Sequence, residues 1–257
     1  MNNLLYICFN RPDLVESSFT KLLEIEWDNI LIVVDSARNE DEINAVKETI
    51  LLVESLSNNH RSNSKIIIRE INYGCRRNIE LIVTKFFTEF RSGWVFEDDI
   101  LLTDIEKFSR LRDYWKVKGH LALYNPVEFN SSEPVKITNG HYFIWGWFLN
   151  IEDIPNFRDK ISIKLIKNIF KKRGIYDGLK FIFLYVKTLL NIIDTWDSIY
   201  TGWCINNDVP TYILGESLIK NIGFDDRATH TLQEPKKIKN IGDWEEKKWR
   251  KYFKKIV

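Results

Sequence analysis

The chain has 257 residues, balances 37 Lys and Arg against 36 Asp and Glu, and carries a formal net charge of +1. That balance excludes an overall basic field of the kind that recruits nucleic acid, while the length allows one sizeable hydrophobic core. Its three cysteines, Cys8, Cys75 and Cys204, are widely spaced without a Cys-x-x-Cys pair, which argues against a disulfide framework or a zinc site.

Leu4 to Phe9 is an apolar run that reads as a strand, stopped by Asn10-Arg11-Pro12, and Asp13 opens a helix with Leu14, Val15, Phe19, Leu22 and Leu23 on one face. Ile30 to Val34 predicts a second strand ending at Asp35, with a helix from about Asp41 to Leu56. Lys65 to Arg69 repeats the unit, with a turn at Asn72-Tyr73-Gly74 and a helix over Cys75 to Phe90. Trp94-Val95-Phe96 then ends in Glu97-Asp98-Asp99. Alternating strands and helices predict an α/β fold with a parallel or mostly parallel sheet flanked by helices. Ligands bind beyond the carboxyl ends of such strands, where Arg11, Asp35 and the acidic triplet gather. Three adjoining carboxylates repel one another and lose hydration, and a divalent cation held by hard oxygen ligands would offset both costs.

In the second half, Ile175 to Ile193 is the most apolar long stretch, but Asp177, Lys180 and Lys187 interrupt it. A bilayer span needs about 20 largely apolar residues, so the expectation is a helix packed on the sheet or an amphipathic face touching a membrane. Upstream, Lys160, Lys164, Lys167, Lys171, Lys172 and Arg173 interleave with apolar residues, a pattern that suits either the solvated basic face of a helix or contact with anionic lipid. From Ile241 onward, Trp244, Trp249, Tyr252, Phe253 and Ile256 lie on one helical arc and Lys247, Arg250, Lys251, Lys254 and Lys255 on the other. A basic amphipathic C-terminal helix over 236–257 is therefore expected, docking on the core or on a membrane. The opening Met1-Asn2-Asn3 has no basic stretch before a long apolar run, so a cytoplasmic protein without a secretory signal is expected.

Phe9-Asn10-Arg11-Pro12, Val34-Asp35-Ser36, Asn72-Tyr73-Gly74 and Glu97-Asp98-Asp99, in that order, resemble the GT-A class of nucleotide-sugar glycosyltransferases, the last as its Asp-x-Asp-type metal motif. Ile144-Trp145-Gly146-Trp147, Thr195-Trp196-Asp197 and Ile219 to Phe224 with His230 look like the acceptor side of bacterial enzymes related to N-acetylglucosaminyltransferase I. The resemblance implies a GT-A (Rossmann-like) fold in one domain over 1–257. Residues 1–103 would form its nucleotide-sugar half and 104–235 a helical acceptor side.

It also implies Asp99 as ligand of Mn²⁺ or Mg²⁺, Glu97 and Asp98 holding ribose, sugar or metal-bound water, and Asp35 accepting from the uracil or ribose of a UDP-sugar. Asp197 would be the base of an inverting transfer, with Asp194 its competitor. From residue chemistry, Arg11 suits a nucleotide phosphate, and Arg76 and Arg77, against the dipole of their helix, point to a phosphate or an acidic partner. Trp145 and Trp147 offer flat faces to a sugar ring, with Gly146 allowing close approach, and His230 is a candidate near the metal or diphosphate. Each has a plainer role: an Asx-turn for Asp35, a turn cap for Asp98, a surface ion pair for Arg11, a helix N-cap for Asp197, core packing for the tryptophans, solvent for Arg77 and His230.

The expected activity is transfer of GlcNAc or a related hexose from a UDP-sugar to an oligosaccharide or lipid-linked glycan of a bacterial surface polysaccharide. Peripheral contact with the inner face of the plasma membrane would accompany it, and nucleic acid would not. The rivals are a sugar-phosphate nucleotidyltransferase, which would carry a glycine-rich phosphate loop where Asn10-Arg11-Pro12-Asp13 stands, a non-catalytic carbohydrate-binding or scaffold protein, and a single-strand nucleic-acid module built on the basic aromatic tail.

Overall fold

The computed structural model describes residues 2–126, 129, 131, 133–153, 155 and 161–224, and the backbone of 253–255. In chain order the first elements are β1 (Asn3–Cys8), α1 (Pro12–Leu23), β2 (Asn29–Val34), α2 (Ile43–Asn58), β3 (Asn63–Ile68), α3 (Gly74–Phe90) and β4 (Ser92–Glu97). They match the predicted strand and helix alternation within a few residues. There follow β5 (Ile100–Leu102), α4 (Ile105–Tyr114), β6 (Gly119–Ala122), β7 (Val135–Ile137), β8 (Trp147–Asn150), α5 (Ile163–Leu189), α6 (Asp197–Asn206), β9 (Thr211–Ile213), β10 (Ile219–Asn221) and β11 (Phe253–Lys255).

Nine strands form one sheet in the order β11-β7-β9-β6-β8-β4-β1-β2-β3, and β10 pairs antiparallel with β5 beside it. β3, β2, β1 and β4 are mutually parallel, and β7 and β8 run against the other strands of the sheet. The α/β fold with a largely parallel sheet between helices is thus present. Because Cys8 lies beside Val34 and Ile7 beside Glu97, β1, β2 and β4 end level. Their terminal loops therefore open onto one edge.

Alternation along β1 divides the core between the two faces of the sheet. Leu4, Tyr6 and Cys8 pack with Val15, Phe19 and Leu22 of α1, whereas Leu5 and Ile7 pack with Ile79, Ile82, Val83, Phe86 and Phe87 of α3. Cys8, buried and free, is a small core residue as expected. The second face continues into α6, whose Ile199, Tyr200, Trp203 and Cys204 are buried together with Phe181 and Tyr185 of α5. α5 is broken at Gly174; Leu165, Ile169, Phe181 and Tyr185 are buried, while Ile175, Tyr176, Leu179 and Phe183 are exposed. Among the described residues no helix is long and apolar enough to cross a membrane.

The C-terminal expectation needs correction where it is described. Phe253–Lys255 is extended and pairs antiparallel with β7, against the helix expected over 236–257. The edge of β7 otherwise presents unpaired backbone groups, which a strand satisfies and a helix cannot. The rest of that segment, and His230, lie outside the described residues.

His120 of β6 is fully buried, with Nδ1 2.8 Å from the Tyr200 hydroxyl and Nε2 2.9 Å from the Phe143 carbonyl. A carbonyl only accepts, so Nε2 carries the proton and Nδ1 accepts from Tyr200. Burial lowers the His120 pKa to about 3. The unfolded imidazole protonates near pH 6.5 or so, hence the stabilisation from neutral His120 is complete above that pH and is lost as pH falls below it. NMR of the folded protein should show no titration of the His120 ring between pH 8 and 5, whereas a midpoint near 6.5 would contradict this packing.

Candidate active site

The β1–α1 turn and the end of β4 are joined by one cation. Pro12 begins α1, so the preceding Arg11 points its guanidinium across to the acidic triplet, where it pairs with Asp98 and lies 3.4 Å from Asp99 Oδ2. Asp98 is 3% exposed. Its Oδ2 accepts from the Phe9 amide at 3.3 Å, and its own carbonyl accepts from Ser18 Oγ at 2.8 Å. Arg11 is therefore committed to the protein's own carboxylates. The ion pair is mostly shielded from water, unlike the surface pair read from the sequence, and Arg11 still lines the cleft where a phosphate contact was expected.

Burial pushes the Asp98 carboxyl up to about 6 against the pull of Arg11. Glu97 is raised well above the usual carboxylate range by burial and by Asp99 and Asp98, and Asp99 is raised by burial with Arg11 opposing. For Arg11 burial disfavours the cation, but Asp98 and Asp99 outweigh it and hold it charged. Three carboxylates facing one guanidinium leave an excess of negative charge when all are ionised. Glu97 and Asp99 supply hard oxygen donors that suit Mn²⁺ or Mg²⁺. Among the described residues no three His, Cys, Asp or Glu side chains converge as a metal cage, so water or substrate oxygens would have to complete the coordination.

Asp99 is also held by the last part of the chain's second half. The Ile222 amide donates to the Asp99 carbonyl at 2.8 Å, an extension of the β5–β10 pairing. A Cβ on Gly223 would fall 2.6 Å from Asp99 Cβ and 2.8 Å from an Arg11 nitrogen. Only glycine allows the backbone this close. The run Ile219 to Phe224 belonged to the resemblance, but its contact with Asp99 leaves no local signal.

Asp35, Arg11, Asn72, Asn78, Glu97 and Asp194 line a cleft of about 410 Å³ at this sheet edge. Asp35 is buried and accepts from the Ser36 amide at 3.0 Å and the Tyr73 amide at 3.0 and 3.2 Å. Burial raises its pKa while these amides hold it down. Asp194 accepts from the Cys75 and Arg76 amides at 3.2 and 3.0 Å. The two aspartates thus satisfy the first amides of α3, each from a different half of the chain. Arg76, which seemed misplaced at a helix start, reaches Glu80, the Thr188 carbonyl and Asn191 at the end of α5. The acidic partner expected for it is thus within its own helix, with a helix C-terminus beside it. Arg77 is exposed and lies over the Tyr73 ring at 4.8 Å, outside the lining of the cleft.

Cys75, also lining the cleft, was not singled out by chemistry in the sequence. Burial and the charges of Glu97, Asp194, Asp197 and Asp99 push its thiol far up, so it stays protonated and is no nucleophile.

A second pocket, of about 300 Å³, is lined by Tyr124, Phe143, Trp145, Arg173, Asp197 and Ser198 among others. Asp197 is the first residue of α6, and its Oδ1 accepts from Thr195 Oγ1 at 2.6 Å and the Ser198 amide at 2.7 Å. Asp197 lines this second pocket, and Asp194, three positions earlier, lines the acidic cleft. Trp145 packs on Tyr124 at 4.7 Å. Trp147 has a different environment from the one expected: 1% exposed, it stacks between Phe87 and His120 and has no face for a sugar. Gly146, with φ of 58°, brings the backbone against Ile219, Ile100 and Phe96, so its close approach is to the core.

No protein-family model and no curated protein matches the chain. Among solved structures, it is similar to the inositol-1-phosphate CTP transferase from T. maritima (8% identity, 83% of this chain and 85% of that one, TM-score 0.43). It is also similar to mouse xyloside xylosyltransferase 1 (10%, 83% and 84%, 0.39) and to a glucose-1-phosphate thymidylyltransferase from Bacillus anthracis (10%, 77% and 99%, 0.37). At these TM-scores the likenesses add nothing to the strand order described above.

Removing Arg11 strands a buried carboxylate. Arg11→Ala should lower the unfolding free energy at pH 8 by about 3 kcal/mol, with the loss shrinking toward pH 5 as Asp98 takes up a proton. Adding Asp98→Asn should recover part of it. Denaturant melts at both pH values check this, and an unchanged midpoint would show that the pair is not the countercharge.

Proposed function

We propose that this chain is a GT-A-class glycosyltransferase, acting as one domain, that moves a sugar such as GlcNAc from a UDP-sugar to a glycan or lipid-linked acceptor of a bacterial surface polysaccharide. The observation that carries the reading is Asp197, a carboxylate in the aromatic-lined pocket whose near neighbour in the chain, Asp194, lines the acidic cleft at the carboxyl ends of the parallel strands. Donor and acceptor would meet there.

In this reading Asp35, Asn72 and Asn78 receive the nucleoside, and the diphosphate lies toward Glu97 and Asp99. Asp99, with Glu97 beside it, would hold Mn²⁺ or Mg²⁺, which when bound supplies Lewis-acid stabilisation to a departing diphosphate. Arg11 keeps Asp98 and Asp99 in place. The Thr195 hydroxyl and the Ser198 amide occupy Asp197 Oδ1, leaving Oδ2 to take the proton of the acceptor hydroxyl as it attacks the anomeric carbon. A single attack from the face opposite the leaving group inverts that carbon. Asp194, engaged by two amides of α3, is the weaker base. A sugar-phosphate nucleotidyltransferase is disfavoured because the turn after β1 has no glycine and its one cation is committed to Asp98.

The outer face of α5 supports action at a membrane. Ile175 is 75% and Phe183 63% exposed, with Tyr176 and Leu179 between them and Lys180 and Lys187 resting on the Tyr176 and Phe183 rings. Apolar side chains rimmed by lysines suit an anionic bilayer surface.

Asp197→Asn preserves the local hydrogen bonds but not the base. It should cut turnover of the UDP-sugar by about a hundredfold or more while leaving UDP affinity within twofold or so. Equal turnover, or retention at the anomeric carbon by NMR, would remove Asp197 from the role of base. In sedimentation with vesicles, wild-type protein should partition to anionic over neutral lipid and Leu179→Ser with Phe183→Ser should not. Equal partitioning would reject the membrane face.

A further inference from the structure

The aromatic pocket contains a cation that the transfer chemistry does not use. Arg173 sits in α5 just before the break at Gly174. Its Nε and Nη2 donate to the Gly140 carbonyl at 3.2 and 2.6 Å, and its guanidinium lies 4.2 Å from the centre of the Phe181 ring. Three other arginines shielded from solvent each have a carboxylate, Arg11 with Asp98, Arg76 with Glu80 and Arg112 with Asp113, whereas Arg69 donates to Asn78 Oδ1. Arg173 has no carboxylate within 4.0 Å among the described residues, and burial lowers its pKa to about 10 although the more distant charges of Asp177 and Asp197 oppose the shift. A partly desolvated cation with spare N–H donors, lining a pocket walled by Tyr124, Phe143 and Trp145, is a binding group for an anion attached to a ring.

We propose that this pocket selects an acceptor sugar bearing an anionic group, a phosphate or a carboxylate, which Arg173 binds while Trp145 and Tyr124 cover the ring and Asp197 faces its hydroxyl. The proposal rests on the reading of the second pocket as the acceptor side. Arg173 and Asp197 line the same pocket, so one molecule with a hydroxyl for the carboxylate and an anion for the guanidinium satisfies both. The Gly140 carbonyl fixes one edge of the guanidinium, which reduces the ordering cost when a ligand meets the rest. A neutral sugar would leave the guanidinium without an ion pair at contact distance.

The test titrates the full chain, by tryptophan fluorescence and calorimetry, with methyl glucoside, methyl glucuronide and glucose 1-phosphate, and separately with UDP in Mn²⁺. At least one anionic sugar should bind about tenfold or more tightly than the neutral glucoside. A preference for glucuronide identifies a carboxylate acceptor and a preference for glucose 1-phosphate a phosphorylated one. Arg173→Gln, which keeps a donor for Gly140 but no charge, should lose the preference and still bind UDP. Arg173→Lys should retain part of it. Equal affinity for neutral and anionic sugars in a protein that binds UDP, or a preference that survives Arg173→Gln, would overturn the proposal. An Arg173-dependent preference in a protein that fails to bind UDP would uphold the anion site and reject the donor cleft.

Discussion

The site depends on the ion pair between Arg11 and Asp98. Strand β4 ends in three carboxylates, and in a partly desolvated edge they repel one another strongly. One guanidinium from the turn after β1 neutralises part of that charge and ties the first loop of the sheet to the fourth strand. Burial raises the pKa values of Glu97 and Asp99, and at Glu97 the neighbouring carboxylates add to it. The protein therefore provides enough countercharge to fold and leaves a deficit that a bound cation would relieve.

The same arrangement joins the two halves of the chain. Asp35 from the β2 edge and Asp194 from the loop before α6 both bind the start of α3, and Arg76 returns the connection to the end of α5. Gly223 closes against Asp99 from the other side. Consequently the elements that present Asp197 are fixed relative to the acidic cleft by backbone-directed hydrogen bonds spanning more than a hundred residues. Such bonds would hold donor and acceptor at defined separation in the transfer proposed above.

Much of the first half was legible from sequence because its signals are local. Apolar runs of strand length, turn residues and helical faces placed β1 to β4 and α1 to α3, and parallel topology then required Arg11, Asp35 and Glu97 to share an edge. The choice of partners was not legible. Arg11 and Asp98 are 87 positions apart, and Cys75 and Asp194 119 apart, so nothing in their neighbourhoods shows that they meet. Trp147 looked like a sugar platform because an aromatic pair around a glycine has the same spacing whether it faces a pocket or a core. Arg173 was hidden for a similar reason: among many lysines it read as part of a basic surface, and only the fold turns it inward. Phe253–Lys255 shows the converse, where helical periodicity is overridden by the pairing needs of a distant strand.

The most direct test of the account is a calorimetric titration of UDP into the purified protein with Mn²⁺, with chelator, and with Asp99→Ala. Metal-dependent binding that the substitution abolishes is the predicted result, since in the proposed reading Asp99 would hold the ion. Binding of equal strength with chelator, or unimpaired in Asp99→Ala, would contradict the role assigned to the acidic triplet. No binding under any condition by the folded protein would contradict the donor cleft itself.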